Sequence, residues 1–230
     1  NKSGDSLRLS NSKIAGGVFL LRSEFLGEVD CAGLSTDGGF AALSAKFSKS
    51  SNLALRLDRA YVDGGVFLMR CECVGEMDCS GLETSGQFSV SNAKLHNGGG
   101  TALRLDNAEI SSAAFFVDAV VTGLINAKRG QFNSVFLNGA KLCSGDGTTS
   151  LDLEGCSIAQ TLDFGVGFLG GVKSGSSSIR GRIDLSHGRF GGRLRLTGAT
   201  FSPALDNGGC LTLRRARIEG ELESLGFSSL

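Results

Sequence analysis

The chain has no tryptophan, one tyrosine, two histidines and one proline among its 230 residues. His96 and His187 stand far apart, which leaves general acid–base and metal chemistry without their commonest side chain. The proline, Pro203, falls in an irregular stretch where a missing amide donor does no harm. No apolar run reaches the roughly 18 residues of a membrane-crossing helix, and no leader pattern opens the chain at Asn1. Membrane association is therefore not supported. Charge of one sign is also missing: 23 basic and 23 acidic residues cancel. Nucleic-acid binders usually carry a basic excess and duplex mimics an acidic one, so neither is expected. No Gly-x-Ser-x-Gly elbow, P-loop or His-Glu-x-x-His occurs. The run Gly98, Gly99, Gly100 lacks the strand–turn–helix setting of a dinucleotide site. The sequence thus points to no catalytic residue, cofactor, metal or small-molecule substrate, and the expectation is a non-catalytic cytoplasmic protein.

Glycine, in contrast, is abundant and periodic. GGVFLLRSEFLGEVDCAGLSTDGGFAALSAKF, starting at Gly16, is echoed by GGVFLMRCECVGEMDCSGLETSGQFSVSNAKL, starting at Gly64. Each such block divides into four units of eleven plus an insert of about four. The unit reads Gly, x, apolar, x, apolar, x, x, small, x, apolar, x, as in Gly16 to Leu26 and Gly192 to Ser202. Apolar residues two apart share a face of an extended segment. A helix would need spacings of three and four, and the glycines would weaken it further. Very short strands joined by turns are predicted, with glycine at corners that require positive φ or close backbone approach. The unbroken phase argues for one elongated domain over residues 1–230. Asn1 and Leu230 interrupt the pattern without a cap, so the chain is expected to be an excerpt of a longer protein.

The small residue two before an apolar one recurs in Ala60-Tyr-Val62, Ala108-Glu-Ile110, Ala140-Lys-Leu142, Ala199-Thr-Phe201 and Ala216-Arg-Ile218. In these motifs the chain resembles the pentapeptide-repeat family, each eleven-residue unit equalling two pentapeptides and one residue. That resemblance implies an all-β fold: a right-handed, four-sided parallel β-helix with two units, about 22 residues, per coil. Eighteen units would give about nine coils, and a rod of about 45 Å at ~4.8 Å per coil. The eleven-residue phrases are also similar to those of actinobacterial repeat proteins labelled membrane-associated oxidoreductases.

Seven cysteines raise a metal or redox alternative, with Cys71, Cys73 and Cys79 as its candidates. Their spacing matches no zinc knuckle. Cys31, Cys71, Cys73, Cys79 and Cys156 all occupy inward positions of the unit, where cysteine acts as a small hydrophobe. Cys31 and Cys79 would lie two coils apart, too far for a disulfide.

Three features remain for function. Superposing successive blocks stacks Arg8, Arg56 and Arg104, and likewise Arg22 with Arg70, Glu24 with Glu72, Glu28 with Glu76, and Asp30 with Asp78. Such columns repel unless an intervening coil supplies the opposite sign; they fit a solvated face or a partner-binding stripe. Phe19, Phe67 and Phe115 stack at position four, which alternation sends outward. They form either an exposed apolar column of the kind that marks an interface, or a core column turned in by a bulge or covered by an insert. Inserts after Ser48, His96, Cys143 and Ser202 should leave the rod at one corner. The reading is a structural scaffold or protein-interaction module with a protein partner or self-association, its surface drawn from Phe19, Phe67, Phe115, Arg8, Arg56 and Arg104. A topoisomerase-modulating protein, implied by the resemblance, and a redox or oxidoreductase-associated protein are the alternatives.

Overall fold

The structure is a computed structural model that describes residues 4–144, 148–166, 168–169, 172–203, 209–226 and 228–229. Among them every regular element is a β-strand, most only two to four residues long. One unit supplies two sides of a coil: Glu28–Asp30 forms one side and Ser35–Thr36 the next, with a turn between. The following unit adds Phe40–Ala41 and the start of Lys46–Arg56, closing the circuit. We number these sides one to four in that order. Strands on every side pair in parallel with the equivalent strands of the coils above and below.

Sides one and four form a 14-stranded sheet and sides two and three a 15-stranded sheet. The inward column of side one runs Leu7, Val29, Leu55, Met77, Leu103, Ile125, Leu151, Ile183 and Leu211. These nine levels make about eight turns, the expected solenoid. Coil length is not uniform. Short steps (Leu7 to Val29, Leu55 to Met77, Leu103 to Ile125) alternate with steps four residues longer (Val29 to Leu55, Met77 to Leu103, Ile125 to Leu151). The last two steps, to Ile183 and to Leu211, are longer still.

The extra four residues all enter at the corner between sides four and one. There the long strands Lys46–Arg56 and Lys94–Arg104 alternate with the shorter crossings Glu72–Asp78 and Val120–Asn126. The short crossings turn on Gly75 and Gly123, at φ 118° and 121°, which only glycine enters freely. The inserts therefore share one edge, as the repeat phase predicts. The side chains of 49–52 and the residues 145–147 and 204–208, which belong to three of the inserts, lie outside the described set. The extra stretch near Gly171 to Arg180 enters elsewhere, between sides three and four, where Phe168–Leu169 pairs antiparallel with Val172–Lys173.

Two details of the unit differ from the sequence reading. Position five points inward but opens a turn instead of continuing the strand. The N–H of Ala60 (position eight) donates to the carbonyl of Leu57 (position five) at 3.1 Å, and Leu34 does the same to Cys31. Positive φ falls on the third residue of this turn, at Arg59, Asn107, Arg129 and His187, and not on most of the glycines at position one. Those glycines answer to close approach instead. A Cβ on Gly38 would sit 2.7 Å from the Gly17 nitrogen of the coil below, and one on Gly64 2.6 Å from the Gly39 nitrogen.

The interior is a continuous apolar cluster from Val18 to Phe201, filled by leucine, valine, alanine, phenylalanine and cysteine. Position eight takes Ala45, Ala60, Cys71, Ala93, Ala108 and Cys156, all essentially without solvent contact, because the turn brings its Cβ close to neighbouring coils.

Candidate interaction surface

With core side chains directed inward, any site must be built from the outward columns, and strand register decides who stands beside whom. On side one the outward column reads Arg8, Asp30, Arg56, Asp78, Arg104, Asn126. The repulsion anticipated from stacking arginine on arginine is removed because each intervening coil presents an aspartate. Arg56 reaches Asp58 at 3.1 Å, Asp30 at 3.8 Å and Glu28 at 3.9 Å; Arg104 reaches Glu76 at 2.8 Å and Asp106 at 3.5 Å. The hydrogen bond from Arg104 to Glu76 raises the Arg104 pKa, while burial raises that of Asp106 against the opposing pull of Arg104. A shallow open groove of about 600 Å³ runs along this side; within it Arg104 pairs with Glu76 and Asp106, Arg129 donates to Asn107, and Lys128 reaches out to Asp152 and Glu154.

Side four carries a second alternating ladder, Glu24, Lys46, Glu72, Lys94, before it reaches Val120. Lys94 pairs with Glu72 at 2.9 Å, and that contact holds the Glu72 carboxyl below its ordinary pKa. Side two is polar as well, running Lys13, Ser35, Tyr61, Glu83, Glu109, Gln131. Exposed ladders of this kind contribute little stability per pair and chiefly keep a surface solvated.

Side three differs. Its outward column is Phe19, Ala41, Phe67, Ser89, Phe115, Phe136. The phenylalanines point outward, as strand alternation requires, and no bulge turns them into the core. Phe19 is 67 % exposed; Phe67 and Phe115 are half-buried. The Phe19 ring lies over Gly17 and the Phe67 ring over Gly65 and Gly39, so glycine at position two provides a floor on which a ring can lie. Phe115 stacks on Phe136 with centroids 5.3 Å apart and planes inclined by 11°. The adjoining turn continues the apolar character with Leu21, Leu43, Met69 and Val117, each exposed or half-buried. Beyond Phe136 the column becomes charged, with Asp163, Arg195 and Glu223 joined at 3.4 and 3.3 Å.

Arg8, Arg56 and Arg104 thus lie on side one and the phenylalanines on side three, so the six singled-out residues do not form one surface. The edges of the phenylalanine strip are a feature the sequence reading did not reach. Asp37 and Asp63, both exposed, border it at the corner with side two; Arg22 and Arg70, also exposed, border it at the turn toward side four. The signal was present at positions eleven and seven of the unit, but only the folded coil shows that these positions flank one side.

The cysteines of the inward positions are buried. Leu57 stands between Cys31 and Cys79 in the register of the turn column, and all seven cysteines are free. Burial pushes the thiols of Cys31, Cys71 and Cys156 up to about 12 and raises those of Cys73 and Cys79 as well. Among the described residues no group of three histidines, cysteines or carboxylates gathers as a metal cluster.

This burial makes the thiols a source of alkaline instability. In the unfolded chain they ionise near the ordinary 9.0, in the folded rod three of them near 12. The unfolded state alone loses the proton between those values, so the thiols leave stability unchanged well below pH 9 and lower it as pH rises from 9 towards 12, by about 1.4 kcal/mol per thiol per pH unit. The urea midpoint should be flat from about pH 7 to 8.5 and then drop. A Cys31→Ala/Cys71→Ala/Cys156→Ala variant should show a shallower drop; an unchanged slope would assign the effect to other groups.

No model of a known protein family matches the chain, and no curated protein matches it. The fold is a pentapeptide-repeat-like parallel β-helix. That statement rests on the strand pairing, the four-sided coil and the small residue at position eight. Among solved structures the chain is similar to HetL, a pentapeptide repeat protein involved in heterocyst differentiation regulation from the cyanobacterium Nostoc. The identity is 13 % and the TM-score 0.33, over 91 % of this chain and 86 % of that one.

Proposed function

We propose that this β-helix is a non-catalytic scaffold that binds protein through side three. The observation that carries the reading is the contrast among sides. Sides one, two and four present polar columns or ladders of alternating charge, with the exposed Leu26, Val74 and Val120 at side four each on a different coil, while side three presents Phe19, Phe67, Phe115 and Phe136 with Leu21, Leu43 and Met69 beside them. A contiguous exposed apolar patch on an otherwise polar surface is the usual mark of an interface. The alternating ladders present no long stripe of one sign over the first five coils, which is what binding to phosphate backbones or mimicry of a duplex would call for. The buried, high-pKa thiols are poor nucleophiles for redox exchange.

A photo-crosslinking residue, p-benzoyl-phenylalanine, placed at Phe19 and separately at Ser157 on side two tests this in cells expressing the chain. Discrete protein adducts are expected from position 19 and not from position 157. Equal yields from both positions, or none from position 19, would remove the reading.

A further inference from the structure

The edges of the strip bear on what occupies it. On the side-two edge, Asp37 and Asp63 belong to consecutive coils; Asp63 accepts a hydrogen bond from the Ser85 hydroxyl at 2.7 Å and stays exposed. On the opposite edge stand Arg22 and Arg70. Both have positive φ, which aims these turn residues away from the rod, and neither makes an ion pair among the described residues. Asp63 and Arg70 lie at the same coil level, flanking Phe67, while Arg22 lies one coil below Asp37. Of the other arginines of this stretch, Arg8, Arg56, Arg59 and Arg104 meet a carboxylate and Arg129 donates to the Asn107 amide oxygen at 3.0 Å. Two unanswered arginines beside an apolar strip therefore depart from the local pattern. From Phe19 to Phe67 the strip carries aspartates on one edge and arginines on the other, with Ser44 between the two arginines; at the Phe115 level Ser111 and Asp118 hold the two edges.

We propose that this strip pairs with the same strip of a second copy, with the two rods parallel and related by a two-fold axis that runs along them; this rests on side three being the interaction face. An axis in that direction keeps coil level against coil level and exchanges the edges. Asp63 of each copy then faces Arg70 of the other, Asp37 lies diagonally from Arg22 one coil away, and the phenylalanine columns meet across the axis. A two-fold axis running across the rods also brings the strips face to face, but it sets acidic edge against acidic edge and basic against basic, which repels. Charge thus selects both the occupant and its direction.

The size of the patch sets the strength. From Phe19 to Phe136 is five coil steps, about 24 Å at ~4.8 Å each, and one side is about 13 Å across, giving roughly 300 Å² per copy. A standard stable interface buries about 800 Å² per partner. The pair is accordingly weak and reversible, with a dissociation constant on the order of 100 µM.

Sedimentation equilibrium from about 10 to 500 µM should show a monomer–dimer equilibrium in the unaltered chain. Each of Asp63→Arg and Arg70→Asp, which by symmetry alters both edges of the pair, should weaken association by more than about tenfold. An equimolar mixture of the two variants should recover it, because every altered edge then meets an opposite charge. That recovery also shows that each variant is folded. The same charge changes on side two, Glu109→Arg and Arg189→Asp, should leave association unchanged whether the variants are alone or mixed. Single variants that associate like the unaltered chain, or a mixture that fails to recover, would overturn the parallel pair. A chain that is monomeric throughout while Phe19 still gives cross-linked adducts would overturn self-pairing and leave side three as a surface for another protein. A monomeric chain without adducts would remove both.

Discussion

Gly64→Ala is expected to destabilise the rod by about 3 kcal/mol or more, although Gly64 is exposed and its φ suits any residue. An added Cβ would lie 2.6 Å from the Gly39 nitrogen, 2.8 Å from the Gly38 carbonyl carbon and 3.1 Å from the Gly39 Cα. All three atoms are backbone of the neighbouring coil, so no rotamer change relieves the clash. Coil spacing is fixed by the parallel hydrogen bonds on all four sides, and the corner cannot open without breaking some of them. Gly16 holds the same position in its own unit with nothing within 4 Å of its would-be Cβ, so Gly16→Ala should change stability by less than about 0.5 kcal/mol. Urea denaturation of the two variants decides the matter. Equal effects would show that the glycine column serves backbone freedom and not close approach.

Phe88→Ala should cost about 3 to 5 kcal/mol. Phe88 is fully buried, stands between Val66 and Ala114 in the inward column of side three, and packs at 6.3 Å centroid distance on Phe116. Its neighbours above and below are small and tied into the ladder, so the surrounding coils cannot collapse into the space the ring leaves. Phe88→Leu, which keeps most of the volume, should cost about 1.5 kcal/mol or less. Because each coil is stabilised by its neighbours, a lesion in mid-rod also weakens coupling between the two halves. The unfolding transition of Phe88→Ala should therefore broaden, with a lower apparent m-value, and a sharp two-state transition would show that the halves remain coupled.

These expectations separate what was legible in the sequence from what was not. The inward positions of the unit could be assigned by alternation and volume alone, and the cysteines among them read correctly as core because each falls on an inward position: Cys31 and Cys79 on five, Cys71 and Cys156 on eight, Cys73 on ten. The edge that bears the inserts was legible for the same reason: a constant phase maps to a constant corner. The conformation of the glycines was only half legible. A glycine column in sequence announces a constraint, but positive φ and close approach leave the same signature, and here Arg59 and His187 take the positive φ while Gly38 and Gly64 take the close contact.

The outward columns show the limit most clearly. Superposing the blocks sets Arg8 over Arg56 and Phe19 over Phe67, because the longest shared phrases in the chain begin at Gly16 and Gly64. In the folded rod the neighbour of Arg8 is Asp30 and the neighbour of Phe19 is Ala41; Arg56 and Phe67 come one coil later. By itself the sequence determined the eleven-residue unit and the partition into inside and outside, since these follow from alternation and side-chain volume within one unit; the four-sided coil of two units was implied by the resemblance to pentapeptide repeats. Only the tertiary structure decided which outward residues touch, and with them the charge ladders, the phenylalanine strip and its acidic and basic edges. Contact between coils depends on how many residues each corner consumes, and that number is fixed by parallel hydrogen bonding between segments far apart in the chain.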